Sequence, residues 1–283
     1  MNNNSTVKIS VVIPCYNLGQ YIEEAITSLL NQTFDDFEII IVDDGSNDPK
    51  TVHLLRENKW PKTRIFHIGN HGVSFARNFG IERSSGEFIC CLDADDKYHP
   101  AFLEKTIQCF IQDTENQIGI VTSWVQEFGL SKGIWKIRKY DPVSILYQNE
   151  LHVASLFRKQ CWADCGGYST DIIGHEDWDF WIKIVACNWK WHVCEEILFF
   201  YRKRPNSIMS STIGRRAVIY EQIIRNNKAF FEKYHQELLK KFVEAEEKKE
   251  MLIRDIQTTF PLRSGYLMIR IFRLIKRTIS NWI

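Results

Sequence analysis

Near-continuous apolar runs alternate with helical segments through the first half of this 283-residue chain. That alternation predicts an α/β fold, with a mostly parallel sheet covered on both faces. A second observation agrees. Three polar clusters, Pro14–Asn17, Asp43–Ser46 and Asp93–Asp96, each follow an apolar run. The carboxyl ends of parallel strands are where an open sheet gathers its binding groups. The third is the segment Gly86–Asp96, GEFICCLDADD, in which the run Phe88–Leu92 ends in three carboxylates.

Each element has its own warrant. Val7–Pro14 (VKISVVIP) reads as a buried strand. Asn17 is placed to cap a helix over about Leu18–Asn31, with Ile22, Ile26, Leu29 and Leu30 on one face. Phe37–Val42 (FEIIIV) is a second strand, ended by Asp43, Asp44, Gly45 and Ser46. A helix over about Lys50–Asn58, a strand over Arg64–Ile68 and a helix over Val73–Arg83 follow, the last stopping at Ser84, Ser85 and Gly86. After the strand that leads to Asp93 come a helix from about Pro100 to Gln112 and a strand Ile118–Gln126. Residues 128–150 carry no clear period, and Trp135, Lys136, Arg138 and Lys139 fall in a loop or hairpin. His152–Phe157 reads as a strand, and Lys159–Cys165 as a short helix closed by Gly166 and Gly167. His175–Trp181 opens a helix that runs to about Ala186; Trp191–Val193 and Ile197–Tyr201 read as two short strands. From Ser211 to about Ile256 apolar residues such as Ile219, Ile223, Phe230, Leu238 and Phe242 recur at helical spacing. The chain thus divides into an α/β domain over residues 1–210, a helical extension over 211–258 and a tail over 259–283.

Composition narrows the partners. Apolar residues make up 45% of the chain, enough for a sizeable core, and the formal net charge is only +1. Five basic residues (Arg263, Arg270, Arg273, Lys276, Arg277) and no acid fall within Leu262–Ile283, which leaves the body mildly acidic. An acidic body argues against nucleic acid as a partner. The eight cysteines show no Cys-x-x-Cys pair and no zinc spacing, as expected of thiols in a reducing cytosol. Met1–Thr6 is polar, and no apolar run is long enough to span a bilayer, so a cytoplasmic protein is expected. In the tail, Met268, Ile271, Phe272, Ile275, Ile279 and Trp282 fall on one side of a helix, with Arg270, Arg273 and Arg277 opposite. That pattern suits a helix lying in the plane of an anionic membrane, which predicts peripheral attachment to the inner face of the cell membrane. Packing of the same helix on protein is the alternative, and a homodimer through the extension is open to it.

The acidic end of the Phe88–Leu92 run carries the chemistry. In an extended segment Asp93 and Asp95 point the same way. Adjacent carboxylates repel unless a positive group lies between them, and a divalent cation that also grips a diphosphate meets that need. A solvated acidic turn is the plain alternative.

Four stretches then support a resemblance: SVVIPCYN (10–17), LLNQTFDDFEIIIVDDGSND (29–48), NHGVSFARNFGIERSSGEFICCLDADD (70–96) and GGYSTDIIGHEDWDFWIKI (166–184). Over about residues 7–208 the chain resembles the family 2 glycosyltransferases, which have the GT-A fold and transfer a sugar from a nucleoside diphosphate to an acceptor hydroxyl, usually with inversion. The resemblance implies a nucleotide-binding half over about 7–98 and an acceptor half over about 99–210. It implies that Pro14, Tyr16 and Asn17 cradle the nucleoside, with Tyr16 stacking on the base, and that Asp44 accepts a hydrogen bond from it. Arg77 lies near the nucleotide, Asp93 holds the donor ribose directly or through the metal, and Asp95 ligates Mn2+ or Mg2+. Asp177 is the base and Glu176 orients it or the acceptor; Trp178 and His175 are placed at the acceptor. A uridine nucleotide is the expected donor, and a glycan, lipid-linked or protein acceptor in bacterial surface polysaccharide, glycolipid or glycoprotein assembly the expected partner. Relatives often carry Tyr-Arg-x-His after the last strand. Here the residues are Tyr201, Arg202, Lys203 and Arg204. Arg202 matches, and Arg204 stands where a third metal ligand would be, able to neutralise diphosphate directly.

Three other readings compete. A phosphate-accepting receiver domain also places acids at strand ends, but it leaves Glu176 and Asp177 without a role. A catalytically silent nucleotide-sugar module would not need both Asp95 and Asp177. A nucleotidyltransferase would call for a phosphate loop rich in glycine and arginine after the first strand, where Cys15, Tyr16 and Asn17 stand.

Overall fold

The computed structural model describes residues 8–172, 174–205 and 214–259. The expected boundary at residue 210 and the amphipathic segment 264–283 lie outside the described residues.

The first half is built as β1 (Ile9–Cys15), α1 (Gly19–Leu30), β2 (Phe37–Asp44), α2 (Pro49–Glu57), β3 (Thr63–Ile68), α3 (Val73–Glu82) and β4 (Phe88–Cys91). β1 is buried along its whole length, and Ile39–Val42 of β2 are equally enclosed. Branched apolar side chains suit a strand covered on both faces, which is why these runs do not alternate with polar residues. β1 pairs in parallel with β2 and β4, and β2 with β3. The chain therefore steps outward from β1 to β3 and then returns to place β4 on the other side of β1. Such a reversal opens a crevice at the carboxyl ends of the strands. Pro14 is accommodated because β4 has already ended beside it: the last bond on that side runs from the Leu92 N–H to the Val12 carbonyl. A Cβ on Gly80 would lie 2.5 Å from Val12 Cγ1, so this glycine lets α3 approach the sheet closely.

The second half makes the sheet mixed. Its elements are β5 (Lys97–Tyr98), α4 (Phe102–Gln112), β6 (Ile118–Gly129), β7 (Ile134–Trp135), α5 (Ser144–Tyr147), β8 (Leu156–Arg158), α6 (Lys159–Cys165), α7 (Glu176–Ala186) and β9 (Lys190–Lys203). The sheet order is β3-β2-β1-β4-β8-β6-β9-β5, with β7 added to β6. β8 is antiparallel to both β4 and β6, while β9 is parallel to β6. α6 ends as expected at Gly166, whose φ of 76° is open to glycine without strain.

Some expectations are corrected. Asn17 does not cap α1: the helix starts after Leu18 without a side-chain cap. Instead Asn17 Oδ1 accepts the N–H groups of Asn47 and Asp48, both at 2.9 Å, because the loop after β2 presents donors closer than the helix does. The two strands expected over 191–201 are one. Ser123 and Trp124 of β6 pair with Cys194 and Ile197, so the exposed Glu195 and Glu196 bulge from the ladder and hide its continuity in the sequence. The strand expected over His152–Phe157 shrinks to Leu156–Arg158, since Ser155 turns back on the His152 carbonyl through both N–H and Oγ.

The helical extension comprises α8 (Arg216–Asn226), α9 (Lys228–Lys233) and α10 (His235–Thr259). It docks on α7. Tyr220 stacks on Trp178 with ring centroids 5.5 Å apart, and Asn227 Nδ2 donates to Asp179 Oδ1 at 2.8 Å. Ile219, Ile223, Phe230 and Phe231 of the extension are buried.

A Cβ on Gly86 would lie 2.6 Å from the Ser10 nitrogen and 2.8 Å from the Ile9 carbonyl carbon, both main-chain atoms of β1. Gly86→Ala is therefore expected to destabilise the fold by about 1–3 kcal/mol, as overpacking does. Urea unfolding should show a lower midpoint with an unchanged slope.

Candidate active site

The segment after β4 is a turn rather than extended chain. The Asp96 N–H donates to the Asp93 carbonyl at 3.0 Å, which corrects the expectation that Asp93 and Asp95 share one side of a strand. The turn aims the two carboxylates at different arginines. Arg77 Nη2 donates to Asp93 Oδ1 at 2.8 Å, and Arg204 Nε donates to Asp95 Oδ2. Asp96 points inward. It is 1% exposed, its Oδ1 accepts the Arg202 N–H at 2.7 Å, and its Oδ2 has no partner among the described residues. Burial, then Asp95 and Asp93, hold its carboxyl well above the usual range. Asp93 is raised too, by burial and by Asp95, against the pull of Arg77.

Arg77 joins this turn to the start of α7. Its side chain is 2% exposed, and Nη1 donates to Glu176 Oε1 at 2.6 Å while Nη2 holds Asp93. The guanidinium lies 5.4 Å from the Tyr168 ring. The two acids outweigh the cost of burial and keep Arg77 firmly protonated. Asn78, one residue on, fixes the other side of the joint. Its Oδ1 accepts the Tyr168 N–H and the Trp162 indole N–H, both at 2.9 Å.

Asp177 follows Glu176 in the first turn of α7, where a negative charge meets the positive end of the helix dipole. Its Oδ1 accepts the Trp178 N–H at 2.8 Å, and its Oδ2 accepts from Asn149 Nδ2 at 3.2 Å. Burial, then the charge of Glu176, push its carboxyl up to about 7, with Arg77 opposing. A carboxylate poised there can take a proton at neutral pH. Tyr201 is half-buried on β9 and lies within range of the charges of both acid groups. Burial raises its hydroxyl pKa, and Asp96, Asp93, Asp95 and Asp177 all add to the shift.

Around this centre Asp44 is 4% exposed, and its two oxygens accept the N–H groups of His71 and Gly72, each at 2.8 Å. Asp43 accepts from the Ser46 N–H at 3.0 Å and pairs with His67. Pro14 is buried in β1, while Tyr16 is 42% exposed at the mouth of the crevice. Arg202 is committed to the fold: Nε donates to the Asp95 carbonyl at 2.7 Å, Nη2 to Glu24, and the guanidinium lies 4.3 Å from the Phe128 ring. His175 precedes α7 with a φ of 65°, its ring 6.0 Å from that of Trp178. Trp178 does not meet the role expected for it. It is 1% exposed, covered by Tyr220, with its indole N–H on the Ile145 carbonyl, so no sugar can stack there. Sequence reasoning missed Tyr201 and Asn149. Tyr201 stands directly before Arg202, which could have flagged it; Asn149 lies in the segment without a period and carried no signal.

Among the described residues no cluster of three or more His, Cys, Asp or Glu could hold a metal ion. Asp93 and Asp95 are the candidates, each with one oxygen on an arginine. They fit a hard cation that draws most of its shell from phosphate and water, not one caged by protein. Removing Arg77 tests the joint. Arg77→Ala would leave Asp93 and Glu176 uncompensated and should destabilise the fold by about 3–5 kcal/mol, read by chemical denaturation.

Comparison with known proteins bears on this geometry. An uncharacterized glycosyltransferase of Methanocaldococcus jannaschii is 32% identical over 210 residues, which cover 69% of this chain and 70% of that protein. The uncharacterized glycosyltransferase YibD of Escherichia coli is 39% identical over 112 residues, 39% of this chain and only 32% of that relative. Among solved structures, S. aureus TarS 1-349 in complex with UDP-GlcNAc superposes with a TM-score of 0.62 at 21% identity, covering 72% of this chain and 61% of that one. The mannosyltransferase PcManGT from Pyrobaculum calidifontis, in complex with GDP-Man and Mn2+, gives 0.59 at 17% identity, covering 77% and 64%. These two share the fold, which is the GT-A arrangement expected from the sequence. Residues 10–173 match the model of glycosyl transferase family 2, and the chain belongs to that family of glycosyltransferases.

Proposed function

We propose that this enzyme moves a sugar from a nucleoside-diphosphate sugar to an acceptor hydroxyl with inversion at the sugar carbon. One observation carries the reading: the buried fork of Arg77 ties the acidic turn after β4 to the acidic start of α7. In this reading Pro14, Tyr16, Asn17 and Asp44 line the nucleoside site, with the exposed Tyr16 ring stacking on the base. The nucleotide-binding half spans about residues 7–98 and the acceptor half about 99–210. Asp93 and Asp95 would hold Mn2+ or Mg2+. When bound, such a cation supplies Lewis-acid stabilisation to the departing nucleoside diphosphate.

Asp177 takes the proton from the acceptor hydroxyl as its oxygen attacks. Attack from the side opposite the leaving group inverts the centre. Glu176, held by Arg77, keeps the acidic pair in place. Trp135 replaces Trp178 as the aromatic surface for an acceptor: it is 37% exposed, with its ring centroid 5.3 Å from that of Tyr201. The donors bound by TarS and PcManGT carry different nucleosides, so both UDP- and GDP-sugars belong in a screen. A glycan, lipid-linked or protein acceptor in surface polysaccharide, glycolipid or glycoprotein assembly suits this reaction. Among the described residues no helix is long and apolar enough to cross a membrane. Peripheral attachment therefore rests on the sequence of the tail alone.

Asp177→Asn should retain nucleotide affinity and lose transfer by about 10²–10⁴-fold, the span of a general base. Undiminished transfer in that variant would remove Asp177 from the mechanism. Asp95→Asn should lose the gain in nucleotide affinity that Mn2+ gives, as read by calorimetry.

A base works only when deprotonated. Since the Asp177 carboxyl is raised to about 7, kcat/KM should climb as pH rises through about 7 and level off above it. A flat profile between pH 5 and about 8 would contradict this assignment.

A further inference from the structure

Away from the acidic groups, two cysteines meet. Cys109 lies on α4 and Cys194 on β9, 85 positions apart in the chain, and their sulfurs stand 3.5 Å from each other. The Cys109 S–H is turned to the Lys105 carbonyl at 3.4 Å, which leaves the Cys194 S–H to donate between the two sulfurs. Lys105 and Glu196 form an ion pair across the same gap and hold the two elements beside each other. Both cysteines are half-buried, and Cys109 also lines a surface cleft with Gln112, Asp113, Glu115 and His192. Cys15, Cys90, Cys91 and Cys161, by contrast, are buried. Among the described residues no cluster of three or more His, Cys, Asp or Glu could hold a metal ion, so the cleft is not a metal site.

We propose that Cys109 and Cys194 form a dithiol site that a low-molecular-weight disulfide converts into a disulfide bond between α4 and β9. The inference does not depend on the donor reading above. Geometry supports it first: the sulfurs already touch, and only about 1.5 Å of closure separates them from the length of an S–S bond. Chemistry supports it second. The hydrogen bond from Cys194 holds the Cys109 thiol below the usual range, against the effect of burial, whereas the other seven thiols are raised. The thiolate is the attacking species, so Cys109 starts the exchange, and the cleft gives the reagent room beside it. Its sulfur attacks one sulfur of the small disulfide, and the S–S bond of the reagent breaks. One half stays on Cys109 as a mixed disulfide; the other leaves as a thiol that carries the Cys109 proton. The Cys194 sulfur then attacks Cys109 Sγ and expels the second half, which takes the Cys194 proton. Two protein thiols are oxidised, and one disulfide is reduced to two thiols. Excess thiol reverses both steps. The new bond would pin β9 just before the bulge at Glu195 and Glu196. Two thiols that merely packed together would give a single adduct or none.

The test uses the full chain, reduced and then freed of reductant, with oxidised glutathione as the reagent. Remaining thiols are alkylated with iodoacetamide, and the digest is mapped by mass spectrometry without reduction. Wild type should lose two of its eight thiols and yield one peptide pair joined through Cys109 and Cys194. Dithiothreitol should restore both thiols. Cys194→Ser should stop at a glutathione adduct on Cys109, and Cys109→Ser should leave Cys194 unmodified. Oxidised wild type should unfold at a higher urea midpoint than the reduced form, because the bond closes a long loop in the unfolded chain. The wild-type map needs no variant, so it decides the matter even where a serine variant does not fold. The proposal is overturned if Cys109 and Cys194 are still alkylated while the exposed Cys187 carries the adduct, or if a Cys109 adduct persists in wild type without the cross-link.

Discussion

A single buried guanidinium holds the two chemical halves of this protein together. Arg77 projects from α3 with its side chain almost wholly enclosed, one fork arm on Asp93 and the other on Glu176. Glu176 is 99 positions from Arg77 in the chain, and among the described residues no main-chain ladder links the turn after β4 directly to the first turn of α7. Taking three charges out of water is costly, and only close geometry with mutual neutralisation offsets it. The arrangement therefore tolerates little displacement. That rigidity sets the spacing between the acidic turn after β4 and the start of α7.

The surroundings serve this joint. Gly80 lets α3 lie close to β1 and β2, which brings Arg77 over the carboxyl ends of the strands. Asn78 locks the segment that carries Tyr168 beneath the guanidinium. Asp44 binds two main-chain N–H groups just before α3 and so fixes where that helix starts. On the far side, the Arg202 N–H on Asp96 and its side chain on the Asp95 carbonyl fasten β9 to the turn. Each of these polar groups is spent on a hydrogen bond that orients another, as expected of a site that must be held ready before its substrates arrive.

The helical extension acts at the same place from outside. Tyr220 and Asn227 seat on Trp178 and Asp179, the two residues that follow Asp177 on α7. Trp178 is thereby a support for the helix that carries the acid, and not a surface for a sugar.

Much of this was legible in the sequence. The central strands announce themselves because residues buried on both faces must be apolar, whatever their neighbours are. Asp44, Asp93, Asp95, Glu176 and Asp177 could be named because they stand at the ends of such runs, or at a helix start, within the stretches that carry the family resemblance. The local pattern failed where partners came from elsewhere in the chain. Asn17 found its donors in the loop after β2. Glu195 and Glu196 hid a continuous strand that only pairing with β6 defines. Trp178 looked like a binding surface until Tyr220 covered it. The composition and order of the apolar runs thus determined the fold class and the acids available for chemistry. Only the tertiary structure decided which acid meets which arginine, because those contacts join residues 16 to 109 positions apart, and burial sets the charge state of each group through neighbours that no local window contains.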